Sequence, residues 1–235
     1  MNDYTFRSDV TVELVKHNLS DEDVARAARV STVGGDSLDS DKPIEGLINY
    51  LMRDRHGSPF EHGSATFYIE APLFVAREHF RHRAGWSYNE ESGRYKELGP
   101  TFYVPGRHRK LVQIGKAGAY RFKKGSAFQH FVTQKAMKLI YKWSYRAYRL
   151  MLRVGVAREV ARMVLPVGIF TSYYATCNAR SLMHFLSLRT IDENSKFPSF
   201  PQYEIELVAD RMEMALAELM PLTMAAFDKL GRVAP

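Results

Sequence analysis

The sequence predicts an α/β fold on three observations. Apolar residues recur at helical spacing in DKPIEGLINYLMRDRHG, where Ile44, Leu47, Ile48, Leu51 and Met52 share one face. From Ser64 to Glu70 the pattern changes to alternation, with Ala65, Phe67 and Ile69 on one side and Thr66, Tyr68 and Glu70 on the other, which marks a strand. IFTSYYATC is a second strand-like run, rich in β-branched and aromatic residues, and helical sequence follows it.

The remaining elements follow in chain order. Ser20 is placed to cap a helix from about Asp21 to Val30, with acids in its first turn that complement the helix dipole. The link STVGGDSLDSD is turn-rich; Pro43 then sits near the start of the LINYLM helix and Gly57 ends it. After the first strand, Pro72 opens a helix over LFVAREHFRHR that runs into the polar segment RHRAGWSYNEESGRY. TFYVP reads as a short strand, and the basic stretch from about Gly106 to Gly125, lacking a firm period, as an excursion. A long helix is predicted from about Ser126 to Val154, with Phe128, Val132, Leu139, Trp143, Leu150 and Val154 as its recurring apolar positions. VAREVARMVLP is a short helix stopped near Pro166, NARSLMHFLSLR another, and YEIELVADRMEMALAEL a final one. No repeat or linker divides the chain, so 1–235 reads as a single domain with a basic excursion at about 106–125.

Composition narrows the function classes. The chain has 235 residues, 46% hydrophobic and 25% charged, enough for a full core. No run approaches the roughly 20 apolar residues of a membrane span, and MNDYTFRSDVTVELV lacks the regions of a signal peptide, so a cytoplasmic protein without membrane partners is expected. The single cysteine, Cys177, excludes an internal disulfide and multi-cysteine metal sites; its strand-like context marks a small hydrophobe. A net charge of +7 points to anionic partners, whether nucleic acid, nucleotides or polyanionic cofactors.

Three clusters carry candidate chemistry. Arg81, His82 and Arg83, followed by Asn89, Glu90, Ser92 and Arg94, mix donors and acceptors at a density suited to a ligand with phosphate and heterocycle edges. HGSPFEH offers His56, Ser58, Glu61 and His62, yet neither this group nor His79 with His82 matches a zinc spacing, and no metal is expected. In NARSLMHFLSLR, Arg180, His184 and Arg189 fall on no single stripe, and Arg162 lies in an otherwise apolar stretch; such arginines call for an anionic partner.

At these clusters the chain resembles the flavin-dependent thymidylate synthases, the ThyX family. Their signature is an Arg-His-Arg triplet, then seven or eight residues and a Ser; here Arg81 to Arg83 are followed by eight residues and Ser92, continuing as GRY. The resemblance extends through AARVS, LINYLM, SPFEH, APLFVAR, REVARMVLP and NARSLM, from about Val12 to Leu219. It implies helices packed on a mainly antiparallel sheet, and a homotetramer with sites between subunits. It also implies the conversion of dUMP to dTMP, with methylenetetrahydrofolate as carbon donor and FAD reduced by NADPH as hydride source.

Residue by residue, the resemblance implies FAD contacts from His56, Ser58, Arg81, His82, Arg83, Glu90, Asn178, Ala179, Arg180 and His184. For dUMP it implies Glu78, His79, Phe80 and Arg81 from one subunit, and Glu90, Glu91, Ser92, Gly93 and Arg94 from another, with Arg162 and Arg189 completing the pocket. Arg189 is the expected catalytic residue, because a guanidinium on the uracil carbonyl edge stabilises the anion formed when N3 loses its proton. Ser92 is expected to bind phosphate, since a serine without an adjacent base is a weak nucleophile. The rival reading is a basic nucleic-acid-binding protein, prompted by RHRK, RFKK and the 12% aromatic content.

Overall fold

The computed structural model describes residues 4–39, 42–116 and 120–235. Two strands absent from the sequence reading come first, β1 (Thr5–Arg7) and β2 (Thr11–His17), both too short or too exposed to show a clear alternation. Helix α1 (Asp21–Val33) starts where Ser20 accepts the Asp23 N–H at 3.0 Å. It continues three residues past the predicted end, then passes into a 3-10 turn over Gly34–Asp39. Helix α2 (Glu45–Arg53) buries Ile48, Leu51 and Met52, the face its spacing predicts. Strand β3 (Ala65–Pro72) also buries the predicted side, Ala65, Phe67 and Ile69.

Helix α3 (Leu73–His79) ends before the Arg-His-Arg triplet, so the triplet forms a turn rather than a helical end. Strand β4 (Trp86–Glu90) lies inside the polar segment RHRAGWSYNEESGRY, where no strand was expected; its alternation is masked by polar residues on an exposed strand. Strand β5 (Thr101–Tyr103) is as expected. The basic excursion contains an antiparallel hairpin, β6 (Val112–Ile114) with β7 (Arg121–Lys123), in which Ile114 faces Arg121. Residues 117–119 of that excursion lie outside the described ones.

Helix α4 (Ala127–Arg153) has the predicted extent and a Ser126–Gln129 capping box, but the opposite face is buried. Phe128, Leu139, Trp143 and Leu150 are exposed, and Tyr141, Tyr145 and Tyr148 form the inner stripe at i, i+4 and i+7. Tyrosine suits that face because the phenol oxygens find partners: Tyr145 donates to the Leu98 carbonyl at 3.0 Å, and Tyr148 accepts the Leu98 N–H at 3.3 Å. Each such ring contributes about 2–3 kcal/mol of burial. Helix α5 (Arg158–Ala161), strand β8 (Phe170–Cys177), helix α6 (Ala179–Arg189) and helix α7 (Tyr203–Leu219) match their sequence expectations. A further helix, α8 (Pro221–Lys229), follows one residue later. It starts on the buried Asp21 carboxylate, which accepts the Leu222 and Thr223 N–H groups at 2.7 and 2.9 Å.

The main sheet has the order β2-β3-β8-β4. Its two central strands are antiparallel: Thr66 meets Thr176 at 2.9 Å, whereas the Leu73 N–H donates to Ile169. β1 pairs with β5 in parallel, Phe6 opposite Phe102. The chain divides into two compact units. The first comprises Met1–Thr11, Glu70–His79 and Glu90–Tyr173, with a core of Phe102, Ile169 and the α4 tyrosines. The second comprises Val12–Ile69, Phe80–Asn89 and Tyr174–Pro235, and holds α1, α2, α6, α7 and α8. Among the described residues no helix is long and apolar enough to cross a membrane.

Candidate active site

In the second unit the Arg-His-Arg turn is docked on the start of α6. Asn178 caps that helix by accepting the Ser181 N–H at 2.8 Å, and the Ser181 hydroxyl donates to the Ala84 carbonyl at 2.8 Å. Gly85 adopts φ +69, and a Cβ there would collide with the Ser181 hydroxyl and touch the Asn178 amide. Only glycine fits both the backbone conformation and the close approach.

His82 is the buried member of the triplet, 8% exposed, while Arg81 and Arg83 are exposed. Its ring stands edge-on to Phe185 at 4.9 Å, and its backbone carbonyl accepts the Tyr88 phenol at 3.0 Å. Arg189, at the last turn of α6, donates its Nε–H to His82 Nε2 at 3.1 Å. Burial, then the charge of Arg189, His184 and Arg81, pushes the imidazole down to about 4. His82 is therefore neutral near pH 7, and accepting at Nε2 places its proton on Nδ1.

A cleft of ≈ 540 Å³ opens beside this turn, lined among others by Gly85, Asn178, Arg180, Ser181, His184 and Pro235. Arg180 and Arg55 both line it. The Arg180 guanidinium donates to Glu61 Oε1 and to the Pro235 carbonyl, each at 2.6 Å, and packs on Gly57, where a Cβ would lie 2.5 Å from it. Ala179 is buried at the helix start, His56 stacks on Tyr50 at 5.3 Å, and Ser58 opens a 3-10 turn next to Gly57. The fit to an anionic, phosphate-bearing cofactor rests on this chemistry: a capped N-terminus of an eleven-residue helix, an arginine, and a cradle that a side chain on Gly85 would fill.

The first unit gathers the other candidates. Ser92 heads a turn whose carbonyl accepts the Tyr95 and Lys96 N–H groups, and its hydroxyl accepts the Arg94 N–H at 3.2 Å. Arg94 pairs with Glu159 at 2.8 Å, and Gly93 is buried against the Arg162 side chain and Leu98. Glu91 accepts the Ser172 N–H at 3.1 Å and pairs with Lys96 at 2.6 Å. Glu90 accepts the Thr171 hydroxyl at 2.7 Å. Although Glu90 keeps an exposed edge, desolvation of its carboxyl, reinforced by Glu91 and opposed by Thr171 and Arg162, raises it above the usual carboxylate range. Glu78 is half-buried, and the fully buried His79 ring shares a 3.0 Å hydrogen bond with the Tyr173 phenol.

The structure thus sorts the sequence-predicted residues. His82, Asn178, Ala179, Arg180, His184 and Arg189 share α6 and its neighbouring turn with Phe80, Arg81 and Arg83, whereas Glu90 to Arg94 and Arg162 gather in the first unit. Sequence reasoning missed Gly57, Gly85, Ala234 and Pro235, and gave Glu61 only a metal-ligand reading. The single usable signal was Gly85, the glycine that separates the triplet from a strand.

Comparisons with known proteins place the chain among its relatives. The family model described as Thymidylate synthase complementing protein matches residues 13–222. The flavin-dependent thymidylate synthase of Streptomyces avermitilis is 65% identical, covering 98% of this chain and 96% of that protein. That of Tropheryma whipplei strain TW08/27 is 56% identical over 99% and 98%. Among solved structures, a UMP/dUMP methylase PolB from Streptomyces cacaoi bound with 5-Br dUMP gives a TM-score of 0.94 at 52% identity, covering 98% of this chain and 100% of that one. The chain belongs to the thymidylate synthase complementing protein family, that of the flavin-dependent thymidylate synthases.

Proposed function

We propose that this chain is a cytoplasmic flavin-dependent thymidylate synthase. It forms dTMP from dUMP with methylenetetrahydrofolate as carbon donor and NADPH as reductant of FAD. The observation that carries the reading is the docking of the Arg-His-Arg turn on the start of α6, beside a cleft containing Arg180 and His184.

FAD, held by Arg81, Arg83, Asn178, Arg180 and His184, would supply the hydride that completes the methyl group. Arg189 acts on the nucleotide. Its Nε–H holds to His82, and amino groups of the same guanidinium are assigned to the uracil carbonyl edge. There they stabilise the negative charge left when N3 gives up its proton to solvent water, and the density gained at carbon 5 makes that atom the nucleophile. The neutral state of His82 serves this role, since a second cation would oppose the guanidinium. Ser92, Arg94 and Arg162 bind the phosphate: one hydroxyl and two forked cations donate to its oxygens. The Ser92 hydroxyl meets a backbone N–H rather than a base, which supports a binding role. A homotetramer in which one subunit supplies the phosphate ligands and another the flavin cleft completes the proposal.

The substrate range has a second reading, favoured by the likeness to a methylase that was crystallised with both 5-Br dUMP and 5-Br UMP. Turnover assays with dUMP and with UMP separate the two. The experiment that tests the main reading is the visible spectrum of the protein incubated with FAD and desalted. Retained flavin absorbance supports it. A colourless protein that instead binds DNA or RNA with a steep salt dependence supports the rival nucleic-acid reading.

A further inference from the structure

Residues 231–235 are built to a tighter specification than a chain passing over a surface requires. Helix α8 ends in a Schellman reversal: Gly231, at φ +78, donates to the Asp228 carbonyl at 3.1 Å, and Arg232 donates to the Phe227 carbonyl at 2.8 Å. Arg232 itself has φ +56, a conformation that costs a side-chain-bearing residue free energy and persists only where its surroundings over-determine it.

The surroundings do so here. The Arg232 side chain is 3% exposed and its guanidinium forks onto Glu213 at 2.9 and 2.6 Å. The same group donates to Asp228 at 2.6 Å and to the Thr190 hydroxyl at 2.9 Å, with Asp192 at 3.8 Å and the Phe227 ring centroid at 5.1 Å. Asp210 also faces this cluster, where desolvation, with Glu213 adding to it, raises its carboxyl despite Arg232. Thr190 is the cap of α6 and the residue after Arg189. Three residues beyond Arg232, the Pro235 carbonyl accepts the Arg180 Nε–H at the other end of the same helix.

One short segment therefore grips both ends of α6. The helix is about 16 Å long at about 1.5 Å per residue. The three steps from Arg232 to Pro235 reach roughly 10 Å when extended, and the arginine side chain covers the rest.

We propose that residues 231–235 form a strap along α6 in which Arg232 is a positioning residue, fixing the helix end that carries Arg189 while Pro235 orients Arg180 in the flavin cleft. The inference rests on the function proposed above and adds to it a device outside every sequence motif of the site. Ala234 and Pro235 line the cleft directly, so the strap is also part of its wall. Its two ends act separately: the Pro235 end on cofactor affinity, the Arg232 end on turnover.

The test compares the parent chain, a chain ending at Val233, and Arg232→Lys, measuring FAD affinity by fluorescence, kcat and KM for dUMP, and thermal midpoint. The shortened chain keeps the whole Arg232 cluster. It is expected to bind FAD about tenfold more weakly, the size of one charge-assisted hydrogen bond, with its apo thermal midpoint near the parent's. Arg232→Lys keeps one cation but cannot fork. It is expected to lose about tenfold in kcat at saturating FAD and dUMP, with KM for dUMP little changed. Variants matching the parent in FAD affinity and kcat, whatever their thermal midpoints, overturn the proposal. If Arg232→Lys does not fold, the shortened chain alone decides, and FAD affinity equal to the parent's sinks the strap. A parent that binds no FAD sinks the functional reading and the strap with it; a parent that binds FAD and makes dTMP isolates the strap as the claim at fault.

Discussion

Arg189 reaches back from the end of α6 to donate its Nε–H to the buried, neutral ring of His82, 107 positions earlier in the chain, at 3.1 Å. This bond joins the middle residue of the family triplet to the residue proposed to act on uracil. It also fixes what the imidazole can do: it accepts at Nε2, so it must stay unprotonated.

That constraint makes the molecule sensitive to acid. The folded chain takes up a proton on His82 only near pH 4, whereas the unfolded chain does so near 6.5. The stability linked to His82 is therefore complete above 6.5 and is lost as pH falls from 6.5 to 4, by at most about 3 kcal/mol. His82→Asn should remove this part of the slope while the raised carboxyls of Glu90, Asp210 and Asp228 keep theirs. Thermal midpoints of both proteins between pH 4 and 7 check it; parallel curves would contradict it.

Arg189→Ala should reduce dTMP formation by about 100-fold or more, the usual effect of removing a donor aimed at developing charge. Its dUMP affinity should fall much less, because the phosphate ligands remain. Stability should drop by only about 1 kcal/mol, since a neutral His82 loses a single hydrogen bond. Single-turnover kinetics together with equilibrium dUMP binding separate these effects.

Ser92→Ala should behave in the opposite way, weakening dUMP binding while turnover at saturation stays within about tenfold of the parent. A serine variant that binds dUMP normally but makes no dTMP would assign the hydroxyl to chemistry.

Gly85→Ala tests the cradle. The substitution places a methyl group against Ser181 and Asn178 at a backbone angle that alanine resists. It should cost about 1–3 kcal/mol of stability. The flavin-to-protein ratio after desalting should fall with it, whereas a flavin content equal to the parent's would show that the turn does not shape the cleft.

Legibility in the sequence followed the physics of each element. α2 and β3 keep their apolar residues on one buried face, so their periods named the correct residues. α4 carries apolar side chains on its exposed side and tyrosines inside, and a reading that weights Phe, Leu and Trp above Tyr chooses the wrong face. β4 was hidden because its exposed residues are polar, and α8 because its start depends on Asp21, some two hundred residues away, rather than on a local cap. At the site, the triplet and the NARSLM segment carry their own signature. The grip of Glu61 and Pro235 on Arg180, and of Arg232 on Thr190, leaves no local trace, because each depends on a contact made only after α6, α7 and α8 have packed.

The most direct measurement of the central claim is dTMP formation by the flavin-stripped protein supplied with dUMP, methylenetetrahydrofolate and NADPH, before and after FAD is restored. No product is expected without FAD, and sustained dTMP synthesis with it. Bound FAD that is reduced by NADPH but yields no dTMP would contradict the assignment.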